Sequence, residues 1–175
     1  MLLLILSSIS SFAAGKVTTF HRLIIQNQND QVMVVKIKDR DFWVTPGCYQ
    51  NNSTKLNEGM NANAAEYGLT ISPVELRALF TLRDEKDDSV STRNIFVAYT
   101  EGNHSKMPSY IDEIRWLSVE ESIKLMTFPQ ISFALEQIFE NPDQIMGGSL
   151  QLKKVNGIET LTIQEPIRAL FNANK

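Results

Sequence analysis

The segment at residues 46–69 constrains the fold more than any other part of the chain. It begins with a Pro-Gly turn at Pro46 and continues as a polar loop rich in asparagine and serine. A short helix is predicted over residues 55–67, and Gly68 ends it, because a glycine just past a helix readily takes the left-handed conformation of a helix cap. We therefore expect the rest of the chain to form a scaffold around this loop and helix.

The predicted helix carries its apolar residues on one face. They recur at helical spacing and are Leu56, Met60, Ala64 and Tyr67. Such a stripe predicts packing against a sheet. Gly59 and the asparagines lower the intrinsic helix propensity, so we expect tertiary contacts to hold this helix in place.

The segment resembles the Nudix signature of diphosphate hydrolases, G-x5-E-x7-R-E-U-x-E-E-x-G-U, in which U is an apolar residue. Four positions match at the family's spacing, namely Gly47, Glu66, Gly68 and Leu69. The Trp-Val-Thr-Pro-Gly approach to the loop and the Ile-Arg-Trp-Leu-Ser phrase that ends at residue 118 are also similar to the family's pattern. The resemblance extends over residues 20–142 and implies an α/β fold of the α+β type, with a Nudix-like mixed β-sheet sandwiched between helices.

Most acids of the signature are replaced in this sequence. With the first glycine on Gly47, the loop glutamate falls on Ser53, and the later signature positions fall on Asn61, Ala62, Asn63, Ala65 and Glu66. A second register, in which Pro46-Gly47-Cys48 aligns with the family's Pro-Gly-Gly, puts the loop acid on Thr54. Neither register restores that acid, so the chain is interpreted as a degenerate member.

The resemblance implies Mg²⁺ or Mn²⁺ held by helix carboxylates four residues apart, which are neighbours on a helix. Here that pair is Ala62 and Glu66, so only Glu66 remains as a candidate catalytic and metal-binding residue. Glu58 is the other acid of the segment, but a helix rise of about 1.5 Å per residue separates it from Glu66 by roughly 12 Å. Glu58 and Glu101, which ends a predicted strand, are further candidate metal ligands, as is the acidic run at residues 84–88.

Three residues are candidate contacts to a phosphorylated substrate. Gly47 belongs to the signature turn, Arg40 lies just upstream of it, and Arg83 begins the charged run after a predicted strand. A solvated surface charge is the alternative interpretation of Arg40. The predicted ligand is a small phosphorylated molecule.

Composition excludes several classes of function. A formal net charge of −3 leaves no basic surface of the kind that binds nucleic-acid polymers. Cys48 is the one cysteine, which excludes an internal disulfide and a cysteine-built zinc site. The two histidines, His21 and His104, have no sequence pattern that links them to Cys48, and we expect structural roles for both.

The N-terminal residues 1–15 have the pattern of a secretory signal peptide. An apolar run is followed by serines and by small residues at Ala13 and Gly15, which suit cleavage. No lysine or arginine precedes the apolar run, so a cytoplasmic protein with an N-terminal strand is the alternative. The run is too short for a membrane span, which needs about 20 apolar residues. The sequence thus favours a periplasmic or secreted protein.

Periodicity predicts the remaining elements. Strands are expected at residues 20–26, 31–37, 75–82 and 94–100, and helices at 119–126 and 130–140. Residues 16–145 form the predicted Nudix-like domain. Residues 146–175 form an extension on it, with a β-hairpin around Asn156-Gly157 and a short helix over 167–172 after Pro166. This extension was open to three roles: capping the core, covering a sheet edge, or forming a homodimer contact.

Two classes of function follow from the sequence. The first is a divergent hydrolase of nucleoside-diphosphate-linked or other diphosphate compounds with a weakened metal site. The second is a catalytically inactive Nudix-fold module that binds a ligand or a protein. A fold alone does not decide between them.

Overall fold

The computed structural model describes residues 17–86 and 89–172. The elements in chain order are β1 Val17–Gln26, β2 Val32–Ile37, β3 Phe42–Val44, β4 Gly47–Tyr49, α1 Leu56–Glu66, β5 Glu75–Asp84, β6 Ser89–Tyr99, β7 Ile111–Leu117, α2 Val119–Leu125, α3 Pro129–Glu140, β8 Gln144–Val155 and β9 Ile158–Asn172. The predicted strands and helices up to residue 140 are present within a few residues of their expected bounds.

In the described part of the chain the strands form one mixed sheet. Its main order is β3-β2-β1-β6-β5-β8-β9, while β4 pairs with β1 and β7 pairs with β2. The pairs β1–β6 and β5–β8 are parallel, and the other pairs are antiparallel. The two parallel pairs join segments that are far apart in sequence.

Apolar side chains are buried on both faces of the sheet. Successive residues of a strand point to opposite faces, so one strand contributes to both cores. In β1, Ile24 packs into the core on the side of α2 and α3. Its neighbours Leu23 and Ile25 pack on the other side, against α1. The predicted mixed sheet between helices is therefore confirmed.

Helix α1 ends in the predicted glycine cap. Gly68 has a φ of 73°, and the backbone N–H groups of Gly68 and Leu69 donate to the carbonyls of Ala65 and Ala64. This is the hydrogen-bond pattern of a Schellman cap. A side chain at residue 68 would also meet the Ser105 hydroxyl, so the position suits glycine in two ways.

The buried face of α1 differs from the predicted stripe at one end. Met60, Ala64 and Tyr67 are buried as expected, but Leu56 is 36% exposed. Asn63 is buried instead, at 7% exposure. The C-terminal half of α1 packs against the sheet, and its first turn extends beyond the sheet surface.

The hairpin of β8 and β9 forms around the predicted turn. Val155 pairs with Ile158, and Asn156 and Gly157 have φ values of 51° and 85°. Positive φ at both central residues is the geometry of a two-residue hairpin turn. Strand β8 also pairs in parallel with β5, so it belongs to the central sheet and crosses the expected boundary at residues 145 and 146.

The predicted short helix over residues 167–172 is wrong. These residues continue β9, which pairs with β8 as far as Asn172 opposite Gln144. Pro166 lies at a register shift between the pairs Gly147–Arg168 and Ser149–Glu165. An edge strand with a bulge accommodates a proline, because the missing N–H is not needed there.

The predicted signal peptide at residues 1–15 lies outside the described residues. Within residues 17–86 and 89–172, no helix is long and apolar enough to cross a membrane.

Candidate functional site

A pocket of about 190 Å³ lies between β1, β4 and α1. Antiparallel pairing of β1 with β4 sets His21 opposite Cys48. Asn63 and Glu66 line the pocket from α1, and Gln50 lines it from the loop. The fold thus brings the signature loop and helix together around one small polar cavity.

His21 holds the signature loop to the centre of the sheet. Its Nε2 lies 2.8 Å from Gln50 Oε1, and Asn94 Nδ2 donates to its Nδ1 at 3.3 Å. This pattern fits an imidazole that carries its proton on Nε2. Gln50 Nε2 in turn donates to the carbonyl oxygens of Asn51 and Thr54. With both ring nitrogens engaged, His21 is a positioning residue and not an open metal ligand.

Glu66, the candidate catalytic acid, has a partner of its own. The Tyr110 hydroxyl donates a hydrogen bond to the Glu66 carboxylate. Burial, and then this hydrogen bond, raise the pKa of Tyr110, so the phenol stays protonated as the donor. Burial raises the pKa of the nearby Cys48 thiol, and the negative charge of Glu66 adds to the shift. Cys48 is therefore a thiol at neutral pH and a poor nucleophile.

Glu66 is the one carboxylate that lines this pocket, whereas Mg²⁺ and Mn²⁺ prefer several carboxylate and water oxygens. Ala62 stands four residues before Glu66 and Ala65 stands beside it, so two signature positions offer no ligand atom. No three His, Cys, Asp or Glu side chains of residues 17–86 and 89–172 cluster closely enough to hold a metal ion. Asn63 Oδ1 is buried without a hydrogen-bond partner in this part of the chain.

The other two candidate metal ligands lie apart from Glu66. Glu58 is exposed on the first turn of α1 and pairs with Lys55 at 3.9 Å. Glu101 lines a separate cavity of about 660 Å³ after the end of β6, beside Gly68. The structure does not bring the three predicted ligands together, and their metal roles stay predictions.

The predicted substrate residues are also dispersed. Arg40 is exposed in the turn before β3, with its guanidinium carbon 5.8 Å from the centre of the Phe42 ring. Arg83 is exposed on β5 opposite Val90. Neither residue lines the pocket that contains Glu66.

Gly47 has a packing role at the start of β4. A Cβ atom there would lie 2.6 Å from the His21 carbonyl oxygen and 2.7 Å from the Phe20 ring. Any larger residue would push the Phe20 ring away from the turn. A contact between Gly47 and a ligand remains a prediction.

Two arginines that sequence reasoning missed lie on the opposite face of the sheet, towards α3. Arg22 of β1 and Arg93 of β6 both contact the Phe20 ring, at 4.7 and 5.3 Å from its centre. The sequence held one signal, since Arg22 interrupts the apolar part of a strand and alternates with Ile24 on one face. Arg93 has no such signal, because only the parallel pairing of β1 with β6 brings it near.

Solved structures of Nudix-type hydrolases are similar to this structure. The mutator MutT protein of Bacillus halodurans matches with a TM-score of 0.69 over 85% of this chain and 99% of that chain, at 18% identity. The NUDIX hydrolase of Nitrosomonas europaea matches with a TM-score of 0.60 over 71% and 90%, at 15% identity. Dihydroneopterin triphosphate pyrophosphohydrolase of E. coli matches with a TM-score of 0.57 over 70% and 95%, at 13% identity.

The chain therefore has the Nudix fold, as the resemblance of its loop and helix implied. No protein-family model matches the sequence, and no curated protein matches it significantly. The fold brings residues 46–69 together with β1 and β4 around the pocket that contains Glu66, and a functional role for this region stays a prediction.

Proposed function

We propose that this protein is a divergent Nudix-type hydrolase of small diphosphate compounds, with metal-dependent turnover that is strongly reduced. The observation that carries the proposal is the pocket at α1, which keeps the Nudix loop, helix and Glu66 but has Ala62 and Ala65 at two acid positions. Nucleoside-diphosphate-linked compounds are the substrate class that suits this fold.

Two arginines on the other face of the sheet also favour a phosphorylated ligand for this protein. Arg22 and Arg93 lie close to the strand that carries the signature turn, and both have their pKa values lowered by burial. Tyr49 of β4 lines the pocket at α1, and its side chain also accepts a hydrogen bond from Arg93. Both arginines lie on the face of the sheet opposite to Glu66, so they form no part of the pocket at α1.

The test is a hydrolysis assay with added Mg²⁺ or Mn²⁺ on ADP-ribose, a UDP-linked sugar and a nucleoside triphosphate. Typical enzymes turn over at about 10 s⁻¹. We expect the intact protein to be slower by at least about a hundredfold, since one acid cannot replace a carboxylate set. Glu66→Gln should remove the remaining activity, whereas the matched control Glu58→Gln should keep it. An unchanged rate in Glu66→Gln contradicts the proposal.

Binding without turnover is the second candidate function. It is favoured by Asn63, which lines the pocket at α1 and has a buried Oδ1 without a hydrogen-bond partner among the described residues. A ligand with an N–H or O–H donor would supply that partner. Calorimetric titration of the same compounds distinguishes the two candidates. Saturable binding with no product formed after prolonged incubation supports the non-catalytic module.

A further inference from the structure

We propose that Arg22 and Arg93 form a binding site for the phosphate monoester group of a small molecule, in the cavity between the sheet and α3. The inference goes beyond the proposed function, because it names a second ligand site on the face of the sheet opposite to Glu66. It requires no hydrolysis, and no residue of the Nudix signature contributes to it.

Backbone pairing fixes the two arginines side by side. In the parallel register of β1 and β6, Phe20 lies opposite Arg93 and Arg22 lies opposite Ile95. Both guanidinium groups therefore reach the same aromatic ring, with Arg22 4.7 Å and Arg93 5.3 Å from its centre. Cation–π contacts of this kind orient the planar guanidinium groups.

Each arginine is also anchored by a hydrogen bond. Arg22 Nη1 donates to the carbonyl oxygen of Thr45 at 2.6 Å, and Arg93 Nε donates to Ser91 Oγ at 3.1 Å. A guanidinium has five N–H donors. Most of the donors of Arg22 therefore remain for a ligand, since the described residues accept one hydrogen bond from it.

The two positive charges lack a carboxylate partner. Neither arginine forms an ion pair with the acids of residues 17–86 and 89–172. Burial lowers the pKa of Arg93, and Tyr49, followed by Asp84, offsets part of this effect. Burial, and then repulsion by Arg93, lower the pKa of Arg22 to about 9. Both side chains are partly buried. Partly desolvated positive charges without a carboxylate partner are unfavourable, and a bound anion would offset them.

The cavity beside the arginines is small and has one polar group without a partner. Its volume is about 30 Å³, and apolar residues of the sheet and α3 form its walls. Gln130, near the N-terminus of α3, lines it, and Gln130 Oε1 has no hydrogen-bond partner among the described residues. A flip of the Gln130 side-chain amide exchanges its oxygen and its NH₂ group, which places an N–H donor where Oε1 now lies. A cavity of this size holds about two waters or one small group.

Charge balance selects a phosphate monoester over other anions. A phosphate monoester carries about −1.5 to −2 charges at pH 7, which matches two guanidinium groups. A carboxylate carries one charge and would leave one arginine uncompensated. Paired N–H groups of arginine also match the spacing of phosphate oxygens.

The experiment measures thermal stabilisation and calorimetric binding of inorganic phosphate and phenyl phosphate at constant ionic strength. We expect inorganic phosphate and phenyl phosphate to stabilise the intact protein. Both anions should bind at least tenfold more weakly to Arg22→Met and to Arg93→Met. Arg115→Met is the matched control, because Arg115 also stacks on an aromatic ring, that of Trp43 at 4.6 Å. It should bind phosphate as the intact protein does.

A second measurement separates ligand binding from a structural role. Without phosphate, Arg22→Met should unfold at a higher temperature than the intact protein, because an uncompensated charge is removed. A lower unfolding temperature, with phosphate binding unchanged, would overturn the proposal and assign Arg22 to holding the Thr45 carbonyl. Equal stabilisation by benzoate would overturn the assignment to a dianionic phosphate.

The outcome is independent of hydrolysis. Glu66→Gln should bind phenyl phosphate as tightly as the intact protein, since Glu66 lies on the other face of the sheet. If the arginine variants lose phosphate binding, this inference is supported. If neither the intact protein nor any variant shows turnover, the proposed hydrolysis is refuted. Phosphate binding that stays unchanged in both arginine variants refutes this inference alone, whatever the turnover.

Discussion

Asn63 is a buried polar residue of α1. It is 7% exposed, and its Oδ1 has no hydrogen-bond partner in the described residues. A buried polar atom without a partner lowers stability by about 1–3 kcal/mol. The chain therefore tolerates a local energetic penalty inside the pocket at α1, which is typical of a functional position.

We predict that Asn63→Leu raises the free energy of unfolding by about 1 kcal/mol, because it removes the unpaired amide and adds apolar burial. Chemical denaturation measures the change. The matched control is Asn61→Leu on the exposed side of the same helix, which should change stability by less than about 0.5 kcal/mol. Destabilisation by Asn63→Leu would show that the amide has a partner, such as a bound ligand.

At the residue scale, the sequence could predict what depends on local spacing. Gly68 was recognisable because a helix cap is a local feature, and the missing acids were visible at Ala62 and Ala65. Arg22 and Arg93 could not be paired from the sequence, since they are 71 positions apart by number and meet only through the parallel β1–β6 pairing. Leu56 was assigned to the core wrongly because periodicity does not show where a helix leaves the sheet surface.

At the element scale, the β8–β9 hairpin depends on its two-residue turn. We predict that Gly157→Ala destabilises the protein by roughly 1–2 kcal/mol, because its φ of 85° is unfavourable for a residue with a Cβ atom. No atom lies within 4 Å of the added Cβ, so the effect comes from backbone conformation alone. Thermal or chemical unfolding measures it.

Gly102→Ala is the control for this substitution. Its added Cβ also has no atom within 4 Å, and its φ is not positive. We expect Gly102→Ala to leave stability unchanged within about 0.5 kcal/mol. Equal effects of the two substitutions would contradict the conformational explanation.

The two halves of the C-terminal extension show why some elements are predictable. Asn156-Gly157 specifies its turn through local backbone preferences, so the hairpin was predicted correctly. Pro166 has two local interpretations, the first turn of a helix or a bulge in an edge strand. The pairing of β9 with β8 decides between them, and that pairing is not visible from residues 166–172 alone.

At the scale of the whole molecule, stability should be insensitive to divalent metal ions. A ligand stabilises a fold only when its concentration exceeds its dissociation constant, and the acids here are dispersed between Glu66, Glu58 and Glu101. We expect millimolar Mg²⁺ or Mn²⁺ to shift the thermal unfolding midpoint by less than about 1 °C. A shift of several degrees that disappears in Glu66→Gln would contradict this expectation.

A homodimer contact, which is one of the three roles open to the C-terminal extension, also concerns the whole molecule and stays a prediction. Strand β9 is the end strand of the sheet and exposes large apolar side chains, including Ile163 and Phe171. Unpaired edge strands are templates for pairing with a second chain, whereas Pro166 opposes such pairing. Light scattering over a range of protein concentrations measures the state of assembly.

Strand β8 lies between β5 and β9 and follows β5 by about sixty residues in the chain. During synthesis, β5 therefore emerges from the ribosome long before the strand that covers its outer side. Until β8 arrives, a nascent chain presents an open row of backbone donors and acceptors to its surroundings. Translation speed and chaperone access over that interval should then govern how much active protein a cell obtains.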